Sequence, residues 1–260
     1  MSRPTLNVNL NYNNIYLGDS FELCERIEAK TVDLILEDMP YNTTACEWDV
    51  KIDLELYWKT RLRILKPTGV ICLTASQPFT SMLVMSNRKI FKYEWIWDKV
   101  KPSSFLTAKI EPLRKHESIL IFGNAKIIYN PIMVKGRFRN KTPMRNGKDG
   151  VYGSYIGNDI QNFNDKAYPK SIIEWSNAAQ TGKEHPTQKP VGLFEYLIHT
   201  YTNKNDLVFD GFGGSGTTAI AAHKSNRNFI VIEKEEKYYN LAKKRLENEL
   251  AQFKLFEGLK

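Results

Sequence analysis

The chain has 260 residues, with 37 Lys+Arg against 29 Asp+Glu and a formal net charge of +8; 42% of residues are hydrophobic and 25% charged. That is an ordinary globular composition, long enough for one large domain or two small ones, and it excludes wholesale disorder. No apolar run approaches the roughly 18 residues of a membrane helix. Met1–Leu10 carries no signal-type apolar stretch, and the three cysteines (Cys24, Cys46, Cys72) form no CxxC pair, which argues against a zinc site or disulfide framework and for reduced thiols in a cytoplasmic protein.

In chain order, Asn14–Leu17 predicts a short strand ending at Gly18-Asp19-Ser20, where Ser20 caps a helix to about Ala29. Val32–Leu36 predicts a second strand, which runs into the loop Glu37-Asp38-Met39-Pro40-Tyr41-Asn42. A helix over Leu54–Leu65 stops at Lys66-Pro67-Thr68-Gly69, a strand follows over Val70–Thr74, and Pro78 starts a helix to about Asn87. Tyr93–Trp97 and Ser118–Phe122 read as further strands. Residues 124–184, rich in Asn, Gly, Lys, Arg and Tyr, have weak periodicity and read as an irregular insertion.

Order returns with a helix from Pro190 to about Thr202, a strand over Leu207–Asp210, a helix over Thr217–Ser225, a strand over Asn228–Ile232 and a charged helix over Glu235–Phe253. In the last helix Tyr238, Leu241, Ala242 and Leu246 form a packing stripe. The alternation predicts an α/β fold: an open, mostly parallel sheet with helices on both faces, in segments 1–123, 124–184 and 185–260.

Charge is unevenly spread. Residues 1–60 hold 5 Lys+Arg and 11 Asp+Glu, a balance of −6, so the other 200 residues carry +14. The densest basic stretch places Lys135, Arg137, Arg139, Lys141, Arg145 and Lys148 together with no acid. Such a stretch suits a polyanion, nucleic acid above all, or is simply a solvated loop.

Gly211-Phe212-Gly213-Gly214-Ser215-Gly216 fits G-x-G-x-x-G between a predicted strand and helix. Glu233 ends the next strand, where an acid can bind ribose hydroxyls. Thr217 stands where a triphosphate loop needs lysine. Asp210 would repel a pyrophosphate but attract an ammonium or sulfonium, so the ligand that fits is S-adenosylmethionine, with NAD as the alternative and a ligand-free tight turn as the bland one. Asp38-Met39-Pro40-Tyr41, past the carboxyl end of a strand, suits methylation of an exocyclic amine. Two acceptors, the Asp38 carboxylate and a backbone C=O near Met39 or Pro40, would take both N–H groups and free the nitrogen lone pair. Pro40 would stiffen the loop and Tyr41 stack on the base. An ordinary strand-end turn is the alternative.

Together these residues resemble the circularly permuted beta class of amino-group DNA methyltransferases, in which a DPPY motif precedes an FxGxG motif with a target-recognition region between them. Asp38-Met39-Pro40-Tyr41 corresponds to DPPY, and Phe209-Asp210-Gly211-Phe212-Gly213-Gly214-Ser215-Gly216-Thr217-Thr218 to FxGxGSGTT. His185-Pro186-Thr187-Gln188-Lys189-Pro190 matches HPTQKP, Gly18-Asp19 the first strand end, and Glu233 the ribose acid. Met39 in place of the first Pro is the one departure; it implies an altered base pocket but keeps the acceptors.

The resemblance implies a class I, Rossmann-like, S-adenosylmethionine-dependent enzyme acting on N6 of an adenine flipped from double-stranded DNA. The catalytic residues would be Asp38, Met39, Pro40 and Tyr41. Asp19, Asp38, Lys189, Phe209, Asp210, Gly211, Gly213, Ser215, Gly216, Thr217 and Glu233 would bind the cofactor, with a surface lysine the alternative at Lys189. Residues 124–184 would read DNA through Lys135, Arg137, Arg139, Lys141, Arg145 and Lys148. It further implies a bacterial or phage origin, a homodimer and a cognate restriction endonuclease as partners, with no membrane contact.

N4-cytosine methylation, an NAD-dependent oxidoreductase and a catalytically silent DNA-binding protein are the rival readings. His116, His185, His199 and His223 share no metal spacing, and methyl transfer to an amine requires no metal. Trp95 and Trp97 are expected to pack, and Trp48 to pack or to line the base pocket.

Overall fold

The computed structural model describes residues 9–40, 52–124, 126–141, 147–149, 153–155, 162–177 and 188–257, with backbone alone at 137–141, 148–149, 153, 155, 162–164 and 253–257. The chain forms two units, one of residues 1–130 with 171–260 and one of residues 131–170.

The larger unit is built on β1 (Asn14–Leu17), β2 (Val32–Glu37), β3 (Leu65–Ala75), β4 (Phe91–Ser103) and β5 (Arg114–Phe122), followed after the second unit by β10 (Ile172–Glu174), β11 (Leu207–Asp210) and β12 (Asn228–Glu233). They form one eight-stranded sheet in the order β1-β12-β11-β2-β3-β5-β4-β10. Every described pairing is parallel except those of β5, which runs antiparallel to both β3 and β4.

The strands read as nearly continuous apolar runs because both faces are covered. Successive residues point to opposite faces. Leu34 and Leu36, Val70 and Cys72, Ile119 and Ile121, Phe229 and Val231 enter one core, and Ile35, Ile71 and Leu73, Leu120 and Phe122, Ile230 and Ile232 the other. The first core is closed by α4 (Val191–Tyr201), α5 (Thr217–Lys224) and α6 (Glu236–Glu257) through Leu193, Leu197, Ala221, Ala242 and Leu246. The second is closed by α1 (Ser20–Cys24), α2 (Leu54–Ile64) and α3 (Phe79–Ser86) through Cys24, Tyr57, Trp58, Ile64 and Leu83. The open, mostly parallel sheet with helices on both faces is therefore as expected, and Trp95 and Trp97 pack in its core.

Several elements depart from expectation: β3 begins at Leu65 and takes in the expected stop at Lys66–Gly69, and β4 and β5 extend beyond the expected Tyr93–Trp97 and Ser118–Phe122. Helix α1 ends at Cys24 rather than near Ala29, because the chain must return to β2. Lys30 adopts a positive φ, and Lys30 and Thr31 donate their N–H groups to the Arg63 and Ile64 carbonyls at the end of α2. The insertion expected over 124–184 is wider than the second unit, since Ile172–Glu174 pairs with β4 in the main sheet. Unit 131–170 holds β6 (Val134–Lys141) paired with β9 (Asn162–Ala167), and β7 (Gly147–Asp149) paired with β8 (Gly153–Tyr155).

Candidate active site

Parallel strands deliver their carboxyl ends to one edge of the sheet, where loops and helix N-termini gather. Along that edge this sequence places an acid on each of four neighbouring strands: Asp19 just past β1, Glu233 ending β12, Asp210 ending β11, and Glu37 and Asp38 at the end of β2. The glycine loop 211–216 joins β11 to α5 at the same edge. Gly216, at φ +79°, caps α5, and a Cβ at Gly213 would overlap Val231, so close approach to β12 requires glycine there.

The acids on the β1–β12–β11 side are held mainly by neutral donors. Asp210 is buried; its carboxylate accepts from Thr218 Oγ1 at 2.5 Å and from the Phe212 N–H at 2.9 Å. Burial pushes its pKa up to about 8 despite those bonds, with Glu37 and Asp38 adding to the rise. Glu233 accepts from the N–H groups of Gly214 (2.6 Å) and Glu235 (2.7 Å), and burial raises its pKa too. Asp19 caps α1 through the Phe21 N–H at 2.8 Å, and its other oxygen lies 3.4 Å from the exposed Lys234.

On the β2–β3–β5–β4 side the acids meet cations. Asp38 accepts from Thr74 Oγ1 and lies 2.9 Å from Lys189 Nζ. Lys189 also lies 3.1 Å from Glu117 on β5 and 5.9 Å from the centre of the Trp97 ring. Lys99 on β4 is 3.3 Å from the other Glu117 oxygen. Burial pushes the Glu117 carboxyl up, but Lys189 and Lys99 outweigh it and hold it below the usual carboxylate range.

Beneath the glycine loop sits a fully buried pair, Glu37 with Arg61 of α2 at 3.0 Å. Glu37 also accepts from the Tyr57 hydroxyl and the Gly211 N–H, while Arg61 donates to Ser20 Oγ and faces the rings of Phe21, Tyr57, Phe209 and Phe212. This network ties α1, α2, the end of β2 and the start of the loop together.

Several expected site residues take other places. The Met39 side chain is 1% exposed and belongs to the apolar core. Phe209 is likewise fully buried against the core and Arg61; Phe212, half-buried against the same core and Arg61, was not anticipated. Lys189 is buried on Asp38, which removes the surface-lysine alternative.

Ser215 and Thr217 are buried, and Thr217 Oγ1 donates to the Lys189 carbonyl, which fastens α5 to that segment. Pro40 is half-buried directly after Met39. Tyr41, Trp48, Arg145 and His185 lie outside the described residues. Lys135, Arg137, Arg139 and Lys141 fall at alternate positions of β6, with a register shift between Lys135 and Arg139, and Lys148 lies on β7. That period-2 pattern is visible in the sequence and would have marked a strand.

Sequence reasoning missed Glu37, Arg61, Thr74, Lys99 and Glu117. Glu37 and Thr74 leave one sequence trace, a polar residue at the end of an otherwise apolar strand; Arg61 lies within helix α2, and Lys99 and Glu117 read as surface charges of β4 and β5.

A family model described as DNA methylase (N6_N4_Mtase) matches residues 32–244. The Type II methyltransferase M1.MboII of Moraxella bovis is 30% identical over 90% of this chain and 96% of its own length. The DNA adenine methyltransferase YhdJ of Escherichia coli (strain K12) is 28% identical over 88% of this chain and 81% of its own. Among solved structures, the complex of M1.HpyAVI with SAM superposes with a TM-score of 0.61 at 27% identity, covering 90% of this chain and 99% of that one.

Proposed function

Because the chain belongs to this DNA methylase family, we propose that it transfers a methyl group from S-adenosylmethionine to N6 of an adenine flipped out of double-stranded DNA. The observation that carries the reading is the Asp38 carboxylate at the sheet edge, one oxygen on Thr74 and the other on Lys189, just past the strand next to the one that ends in Asp210 and leads into the glycine loop. The adenine assignment is supported by the name of YhdJ, and the cofactor by the SAM complex of M1.HpyAVI.

The residues present fit that cofactor. Asp19, Asp210 and Glu233 supply carboxylates suited to an ammonium, a sulfonium and ribose hydroxyls, and burial of Asp210 and Glu233 leaves both stabilised by a cation. A pyrophosphate would meet the same carboxylates and be repelled. S-adenosylmethionine supplies an electrophilic methyl group.

The chain's residues act on the amine. The nitrogen lone pair of an aromatic amine is delocalised into the ring, so it is a weak nucleophile. Asp38 accepts one N–H and a backbone carbonyl at Met39 or Pro40 the other, which favours a tetrahedral nitrogen. The Lys189 and Thr74 contacts keep the Asp38 carboxylate in one orientation. Tyr41 stacks on the base in this reading, and the cations of β6 and β7 take phosphates and base edges. The Type II names of relatives support a cognate restriction endonuclease as partner. A homodimer and a cytoplasmic location complete the proposal; among the described residues no helix is long and apolar enough to cross a membrane.

The test is labelled methyl transfer to duplex DNA followed by nucleoside mass spectrometry. N6-methyladenine is expected. N4-methylcytosine would overturn the base assignment, and no transfer to DNA would overturn the reading.

A further inference from the structure

We propose that Glu117 is a positioning residue for methyl transfer: backed by Lys99, it pins the Lys189 ammonium against Asp38 and so fixes the direction from which that carboxylate meets the amine. The inference rests on the reading of Asp38 as the amine acceptor.

The geometry forms a chain of charges across four elements. Asp38 follows β2, Glu117 and Lys99 stand on β5 and β4, and Lys189 precedes α4. Lys189 Nζ lies 2.9 Å from Asp38 Oδ2 and 3.1 Å from Glu117 Oε2, while Glu117 Oε1 lies 3.3 Å from Lys99 Nζ. Lys99 is itself 3.3 Å from Ser103 Oγ. Two carboxylates thus alternate with two ammonium groups, and all but Asp38 are largely closed to water.

A lysine alone is a poor positioning device, because its four-carbon stem reaches many points with one charge. Here the ammonium is confined between two carboxylates and over the Trp97 ring. Glu117 can serve as the fixed end because the sheet holds it, in register with Trp97 of β4. Lys99 and Lys189 also keep its carboxyl ionised against burial. Asp38 is then held on its two oxygens by different elements, Thr74 of β3 and Lys189. Glu117 makes no contact with the reacting nitrogen in this scheme; it acts through Lys189.

The test uses the full chain and compares wild type with Glu117→Gln, Lys189→Gln, the double variant and Asp38→Ala. Single-turnover methyl transfer, cofactor affinity by calorimetry and thermal melting are measured on each. Misorientation of a reacting group is costly, so Glu117→Gln should slow transfer at least about tenfold, with cofactor affinity within about threefold of wild type. The double variant should be no more than about twofold slower than Lys189→Gln, because the two residues act in series.

A folded Glu117→Gln protein with a wild-type rate, or effects that multiply in the double variant, would overturn the inference. If Glu117→Gln does not fold, Lys99→Gln leaves the Glu117–Lys189 contact in place and should slow transfer several-fold; an unchanged rate in a folded Lys99→Gln would equally overturn it. Full transfer by Asp38→Ala would instead refute the reading of Asp38, which separates the two failures.

Discussion

The two halves of one sheet edge treat their carboxylates in opposite ways. On the β1–β12–β11 side, Asp210 and Glu233 are buried with backbone and hydroxyl donors, and their pKa values rise. On the β2–β3–β5–β4 side, Asp38 and Glu117 meet lysines, and Glu117 is held below its usual range. The first arrangement leaves negative charge to be completed by a cationic ligand. The second is neutralised internally and is suited to orienting a neutral amine. Glu37 and Arg61 lie at the seam, under the loop that starts the cofactor half.

Breaking the seam should have the largest effect. Arg61→Met leaves Glu37 buried without its partner, a loss of about 3–5 kcal/mol for such pairs, read as a fall in denaturant midpoint. The catalytic half breaks at Asp38. Asp38→Ala should lower methyl transfer about 10²–10³-fold, the range for removing one preorganised hydrogen-bonding group at a reacting centre, while cofactor binding persists by calorimetry.

The cofactor half is probed by pH. Asp210 has a folded-state pKa raised to about 8 from an ordinary 3.8, so the folded protein binds the extra proton between those values and loses stability as pH rises through them. Asp210→Asn removes that cost, and its stability advantage over wild type should grow by on the order of 1–2 kcal/mol between about pH 6 and 8. Glu117 has the opposite sign: its pairing contributes above the ordinary carboxylate range and is lost as pH falls below it. The smallest effect belongs to the rim. Lys234→Ala removes an exposed contact to Asp19 and should change stability by less than about 1 kcal/mol, measured by the same unfolding curves.

Strand identities were legible because both-face burial writes itself as apolar runs; β1 and β11 begin and end where the pattern says. β4 was not, since its continuation carries charges: Asp98 pairs with Lys115, Lys99 pairs with Glu117 on the neighbouring strand, and Lys101 is exposed. At the site, Asp38, Asp210, Glu233 and the glycines were legible as motifs. The partner of Asp38 was not: Lys189 lies far off in sequence, and Glu117 reads as one more polar residue before an apolar strand. Burial of Met39 was not legible either: the motif shows its position next to Asp38, and only the folded chain shows its side chain in the apolar core.

The contrast between the halves is tested most directly by calorimetric titration of S-adenosylmethionine into wild type and Asp210→Asn across about pH 6–9, in buffers of different ionisation enthalpy. The ligand's own titration is common to both proteins, so their difference isolates Asp210. Binding to wild type should release an additional proton below about pH 8 and tighten as pH rises toward it, with both effects lost in Asp210→Asn. Identical pH profiles and proton counts in the two proteins would contradict a cofactor half built to be completed by a cation.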